Sequence, residues 1–125
     1  MDVVTKAEEV VKGLPKDRYG KIEVTTSQIR KFLSAVNSLS NRIALYEIQH
    51  TKTDKLTPEL AGEVKYLKIK LFYQAGRESK VKTFVEKAEL GKCIDEIGNS
   101  TVKFNEFAKY VEALIAFHRY YGGRE

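Results

Sequence analysis

His50 and His118 are the only histidines in the chain, and imidazole is the side chain best suited to exchange a proton near neutral pH. Paired across a fold, they would serve acid–base cleavage of a phosphodiester. Neither lies in a recognisable motif, nothing in the spacing places them together, and His118 falls on the apolar face of its helix. The set of nucleophile, base and orienting group that a catalytic site needs cannot be filled. Metal chemistry finds no H-E-x-x-H, no EF-hand spacing and no clustered Asp, Glu and His. The glycines Gly76 and Gly122-Gly123 stand in neither of the common phosphate-loop patterns. Cys93 is the sole cysteine, so an intramolecular disulfide and a cysteine-rich zinc site are both excluded; it reads as a buried small hydrophobe. The expectation is a protein with no catalytic residue, no metal and no cofactor, not an enzyme.

The remaining chemistry is that of binding. The formal net charge is +5, and residues 65–82 account for it: Lys65, Lys68, Lys70, Arg77, Lys80 and Lys82 stand against Glu78 alone, while the rest of the chain balances. A local basic excess of this kind directs a positive potential at a polyanion such as nucleic acid, although a solvated lysine face gives the same count. Within that stretch Tyr66, Lys70, Tyr73 and Arg77 recur at spacings of four, three and four, which aligns them along one side of a helix. Tyrosine interleaved with base can stack on ribose or base while neutralising phosphate. The same stripe also fits two tyrosines packed on a neighbouring helix or a second protomer. Arg30 and Lys31 follow the start of another helix, where free N–H groups attract phosphate; two ordinary surface bases are the plainer reading.

Helices must position these groups. Val3, Ala7, Val10 and Leu14 make a first short helix over residues 2–12, stopped by Gly13-Leu14-Pro15. Residues 16–23 are polar, contain Gly20 and read as a loop and hinge. A second helix starts at a capping box, Thr25 with Gln28, stapled by Val24 on Ile29. Its apolar face runs Ile29, Phe32, Leu33, Val36, Leu39, Ile43 and Tyr46 to an end near His50, followed by a polar turn over residues 51–55. Thr57 caps a third helix with Pro58 at its first position, and Leu60, Val64, Leu67, Leu71 and Ala75 form its core stripe. On a wheel of 100° per residue the Tyr66–Arg77 line lies well over 90° from that stripe. Residues 79–97 supply Val81, Phe84, Val85, Ala88, Cys93, Ile94 and Ile97, broken near Gly91 into one or two shorter helices. Gly98-Asn99-Ser100 precedes a last helix faced by Phe104, Phe107, Val111, Leu114 and His118, closed by Gly122-Gly123. The predicted fold is an all-α compact bundle of about five to six helices in a single domain, residues 1–125. The longest apolar run, residues 113–117, is far too short to span a bilayer, and residues 1–6 show no signal-peptide character. A cytoplasmic protein without a membrane partner is expected.

Three blocks in order, residues 26–33 (TSQIRKFL), 66–78 (YLKIKLFYQAGRE) and 112–121 (EALIAFHRYY), resemble the small helical subunit of type III-A CRISPR (Csm) effector complexes. The resemblance runs from about Val24 to Gly123 and leaves residues 1–20 outside it. It implies a non-catalytic subunit in antiviral defence, present in more than one copy beside other Csm subunits. Such a subunit contacts a guide RNA and target RNA duplex without reading sequence, which agrees with a charge map suited to phosphate. By motif position the RNA-facing bases would be Arg30, Lys31, Lys68, Lys70 and Arg77, with Arg119 after them; the tyrosine–base stripe adds Tyr73. Two rivals stand beside this reading: a helical dimerisation or protein-interaction module using the Tyr66–Arg77 stripe, including a homodimer of the isolated chain, and a nuclease using His50 or His118.

Overall fold

A computed structural model describes residues 2–50 and 54–123. It contains six helices, α1 (Val3–Lys12), α2 (Thr26–Gln49), α3 (Pro58–Arg77), α4 (Ser79–Ala88), α5 (Leu90–Ile97) and α6 (Thr101–Tyr120), and among the described residues no strand. Residues 51–53 of the expected polar turn lie outside the described residues.

The starts of the three long helices follow from local chemistry. The Gln28 N–H donates to Thr25 Oγ1 at 3.2 Å and the Thr25 N–H donates to Gln28 Oε1 at 2.9 Å, so the reciprocal box satisfies two donors that the first turn would leave unpaired. Val24 and Ile29 are both buried beneath it. Thr57 Oγ1 accepts from the Leu60 N–H at 3.1 Å, with Pro58 opening α3. Ser100 Oγ does the same for the Lys103 N–H at 3.1 Å. These three side chains set where the long rods begin.

Helices α2 and α3 run antiparallel. Gln74 near the end of α3 donates to the Gln28 carbonyl at the start of α2, and Arg42 farther along α2 meets Glu59 and Glu63 at the start of α3 at 3.9 and 3.8 Å. Helix α6 also runs against α2, with Phe32 edge-on to Phe107 at 6.3 Å and His118 reaching Val24. Helix α1 lies along α6 in the same direction, Lys6 over the Tyr110 ring and Lys12 over the Tyr121 ring. One apolar core joins residues from all six helices. The expected stripe of α3 is buried throughout, as are Phe104, Phe107, Val111, Leu114 and His118 of α6.

Three local expectations are corrected, and the loop after α1 proves to be docked. Helix α1 buries Ala7 and Val11, with Leu14 buried just beyond its end and Val3 and Val10 half-buried at its edge. Residues 16–23 form a loop that is docked on the bundle: the Asp17 N–H donates to the Lys21 carbonyl at 2.7 Å, the Glu23 N–H donates to the Pro15 carbonyl at 3.0 Å, and Ile22 is 0% exposed. Burial of Ile22 and Val24 fastens the loop to the bundle. The break between α4 and α5 falls at Glu89, a left-handed residue with φ 54°, rather than at Gly91. Gly91 lies inside α5, where a Cβ would meet Phe72 Cζ at 2.7 Å; the glycine admits a neighbouring ring and does not turn the chain. Cys93 is half-buried rather than fully enclosed, and loss of solvent pushes its thiol pKa up, away from the reactive thiolate.

Left-handed backbone costs a residue with a Cβ about 1–2 kcal/mol, and glycine escapes that cost. Glu89 is exposed and its 3.8 Å pair with Lys6 lies at the surface, where such pairs contribute little. Glu89→Gly is therefore expected to stabilise the protein by about 0.5–1 kcal/mol, read as a higher urea midpoint at unchanged slope.

Candidate nucleic-acid interface

The tyrosine–base stripe of α3 faces solvent. Tyr66 is 51% and Tyr73 67% exposed, so the alternative in which these rings pack inside the bundle does not hold for this chain. The Lys70 ammonium sits 5.3 Å from the Tyr66 ring centre and the Arg77 guanidinium 5.6 Å from that of Tyr73. Each ring thus supports a cation at its i+4 neighbour, an arrangement that desolvates neither partner fully.

The antiparallel packing of α2 and α3 brings Lys31 to the same place. Lys31, Phe32 and Ala35 of α2 and Lys70, Tyr73, Gln74 and Arg77 of α3, with Glu78 just beyond, line an open groove of about 340 Å³. Among the described residues none of Lys31, Lys70 and Arg77 is in an ion pair. Three cations without carboxylate partners, beside an exposed aromatic face, suit an anion that brings planar or sugar surface with it.

Two contacts hold the α2 side of the groove. Gln74 Nε2 donates to the Gln28 carbonyl and also lies 3.4 Å from Glu78 Oε2. From the other side His118 Nε2 meets the Val24 carbonyl at 2.7 Å; a carbonyl only accepts, so this nitrogen carries the proton. His118 is 0% exposed, and any Cβ at position 123 would run into its ring. Gly123 closes over the imidazole and donates its N–H to the His118 carbonyl at 2.7 Å.

The other sequence candidates fall elsewhere. Lys68 is a 200° turn away from Lys70 on the α3 wheel, and its ammonium is bound by both oxygens of Asp95 at 2.9 Å. It joins α3 to α5 and does not line the groove. Arg30 is exposed on the first turns of α2, and Arg119 is exposed on the last turn of α6; both are at the same end of the bundle as the groove, outside its lining. His50 caps the far end of α2, stacked on Tyr46 with ring centres 4.2 Å apart. As α2 has 24 residues, the two histidines are held about 36 Å apart along it, and the paired-histidine arrangement is excluded. Gln74 and Glu78 are groove residues that the sequence reading passed over. The available signal for Glu78 was its position as the lone acid among the bases of residues 65–82.

Among the described residues no group of three or more His, Cys, Asp or Glu is placed to hold a metal ion, and no helix is long and apolar enough to cross a membrane. Fold and groove define the class: a small all-α bundle that presents a cationic, tyrosine-walled cleft between two antiparallel helices. The family model described as Csm2 Type III-A matches residues 1–124. The chain is 38% identical over 122 residues to the CRISPR system Cms protein Csm2 of Streptococcus thermophilus, covering 98% of this chain and 93% of that one. It is 39% identical over 119 residues to the protein of the same name from Mycobacterium tuberculosis, covering 95% and 91%, and 33% identical over 114 residues to that of Enterococcus italicus, covering 85% and 78%. The chain belongs to the Csm2 type III-A family and is a Csm2 subunit of a type III-A CRISPR system. The match begins at residue 1, so α1 and the loop after it lie within the matched length, although the three resembling blocks leave residues 1–20 outside.

His118→Ala removes both a buried ring and the donor to Val24. A loss of about 2–4 kcal/mol is expected in urea unfolding. A change below about 0.5 kcal/mol, the size of an ordinary surface substitution, would contradict the anchoring role.

Proposed function

We propose that this chain is a non-catalytic RNA-binding subunit, holding the guide–target RNA of its complex by the sugar–phosphate backbone along the groove between α2 and α3. The observation that carries this reading is the convergence of Lys31, Lys70 and Arg77, from two helices, beside the exposed Tyr73 ring. Backbone contacts of this type fix position and carry no sequence information. Arg30 and Arg119 are exposed at the same end of the bundle and add to its basic surface, whereas the Lys68 ammonium is paired with Asp95. The other Csm subunits, including further copies of this chain, are its protein partners. The exposed apolar side chains Leu45, Ile48 and Ile69 suit such protein contacts better than they suit phosphate. The setting is antiviral defence in the cytoplasm.

Lys6 and Lys12 are poor controls for a charge experiment, since each lies over a tyrosine ring and against a glutamate. Lys109 is exposed on α6, on the side away from that helix's core stripe, and serves instead. Lys70→Ala with Arg77→Ala is expected to weaken binding roughly tenfold or more, alike for RNAs of unrelated sequence. The log–log salt slope should also shrink by roughly 0.7–0.9 for each lost phosphate contact. Lys109→Ala should change neither. An equal loss with Lys109→Ala, or a loss with no change in slope, would contradict the groove as the RNA path.

A further inference from the structure

Glu78 is out of place in a phosphate-binding groove. It is the single acid of residues 65–82, and it lines the same cleft as Lys31, Lys70 and Arg77. It also stands at the N-cap of α4, where a side-chain oxygen normally accepts from the first turn, yet its side chain makes no capping bond. Instead the carboxylate turns toward α3, where Gln74 Nε2 lies 3.4 Å from Oε2. Gln74 is itself tied to the Gln28 carbonyl, so one amide links the first turn of α2 to the acid. Among the described residues no cation of the groove neutralises Glu78 in an ion pair.

A carboxylate only accepts hydrogen bonds, and beside a phosphate chain it is repulsive unless a donor meets it. The sugar–phosphate backbone of DNA offers acceptors alone. RNA adds one donor per nucleotide, the 2′-hydroxyl. A groove that grips phosphate by its cations and places an acceptor among them is thereby suited to one backbone and opposed to the other, without contact to any base.

We propose that the groove is a ribonucleotide subsite in which Lys31, Lys70 and Arg77 hold phosphate and the Glu78 carboxylate accepts the ribose 2′-hydroxyl, so that Glu78 makes the protein select RNA over DNA. The proposal rests on the RNA-binding reading above and adds to it the sugar that is recognised. Gln74 positions the acid, and the Tyr73 ring provides the wall along which the ribose lies.

The test uses the full chain and one oligonucleotide sequence prepared as RNA, as DNA and as RNA methylated at the 2′-oxygen, with binding followed by fluorescence anisotropy. The unaltered protein should prefer RNA to the other two by about tenfold, the range of one hydrogen bond to a charged group. Glu78→Ala should erase that preference, chiefly by tighter binding of DNA and of the methylated strand. Glu78→Gln, which keeps an acceptor oxygen without the charge, should retain a preference for RNA. Far-UV circular dichroism on each variant checks that the helices are intact, as expected where the altered side chain caps nothing. If Glu78→Ala strengthens binding to all three strands equally, or if Glu78→Gln behaves as Glu78→Ala does, the acid only repels phosphate and the proposal is overturned. Failure of the underlying reading is seen separately, as RNA affinity unmoved by Lys70→Ala with Arg77→Ala.

Discussion

The first turn of α2 is held from both sides, and the rest of the molecule is arranged around that constraint. His118 of α6 donates to the Val24 carbonyl, Gln74 of α3 donates to the Gln28 carbonyl, and between them the Thr25–Gln28 box closes the helix end. Each bond is of ordinary strength, on the order of 1 kcal/mol net. Their joint effect is geometric. They fix the rotation and the axial position of α2 against two neighbours, and thereby decide which of its side chains meets α3. Lys31 faces Lys70 and Arg77 because the turn before it cannot shift.

Placing three cations together is unfavourable in the absence of an anion, and the fold moderates the repulsion without cancelling it. The groove is open to water, where unit charges at several ångströms interact weakly, and the Tyr66 and Tyr73 rings share the charge of Lys70 and Arg77. The apolar stripe on the opposite side of α3, from Leu60 to Ala75, anchors the rod that carries them. A helix with one face in the core and the other bearing alternating ring and cation has few internal degrees of freedom left. Such preorganisation reduces the ordering cost that a ligand would otherwise meet.

Much of this was legible in the sequence because it is local. Caps at Thr25, Thr57 and Ser100 involve residues three positions apart, and the core stripes follow helical period, so both could be read without knowing the fold. The docked loop was not legible: Ile22 looks like a lone apolar residue among polar ones, and its burial depends on the packed bundle. The break at Glu89 was hidden by a nearby glycine whose purpose is to admit Phe72. Lys68 and Lys70 share the basic stretch and one block of the resemblance, but helical geometry sends them to opposite sides of α3, and only the Asp95 contact shows where the Lys68 ammonium lies. The groove itself joins residues from two helices through an antiparallel register that no single segment encodes.

RNA is proposed to lie in the cleft between α2 and α3. Backbone amide shifts of the nitrogen-labelled protein, followed as an RNA of arbitrary sequence is added, locate the bound strand. The largest changes are expected on the first two turns of α2, around Arg30 and Lys31, and on α3 and the start of α4 from Lys70 to Glu78, with little change at Val3, Cys93 and Tyr110 on the α1–α5–α6 side. Changes centred on that second surface, or spread evenly over all six helices, would contradict it.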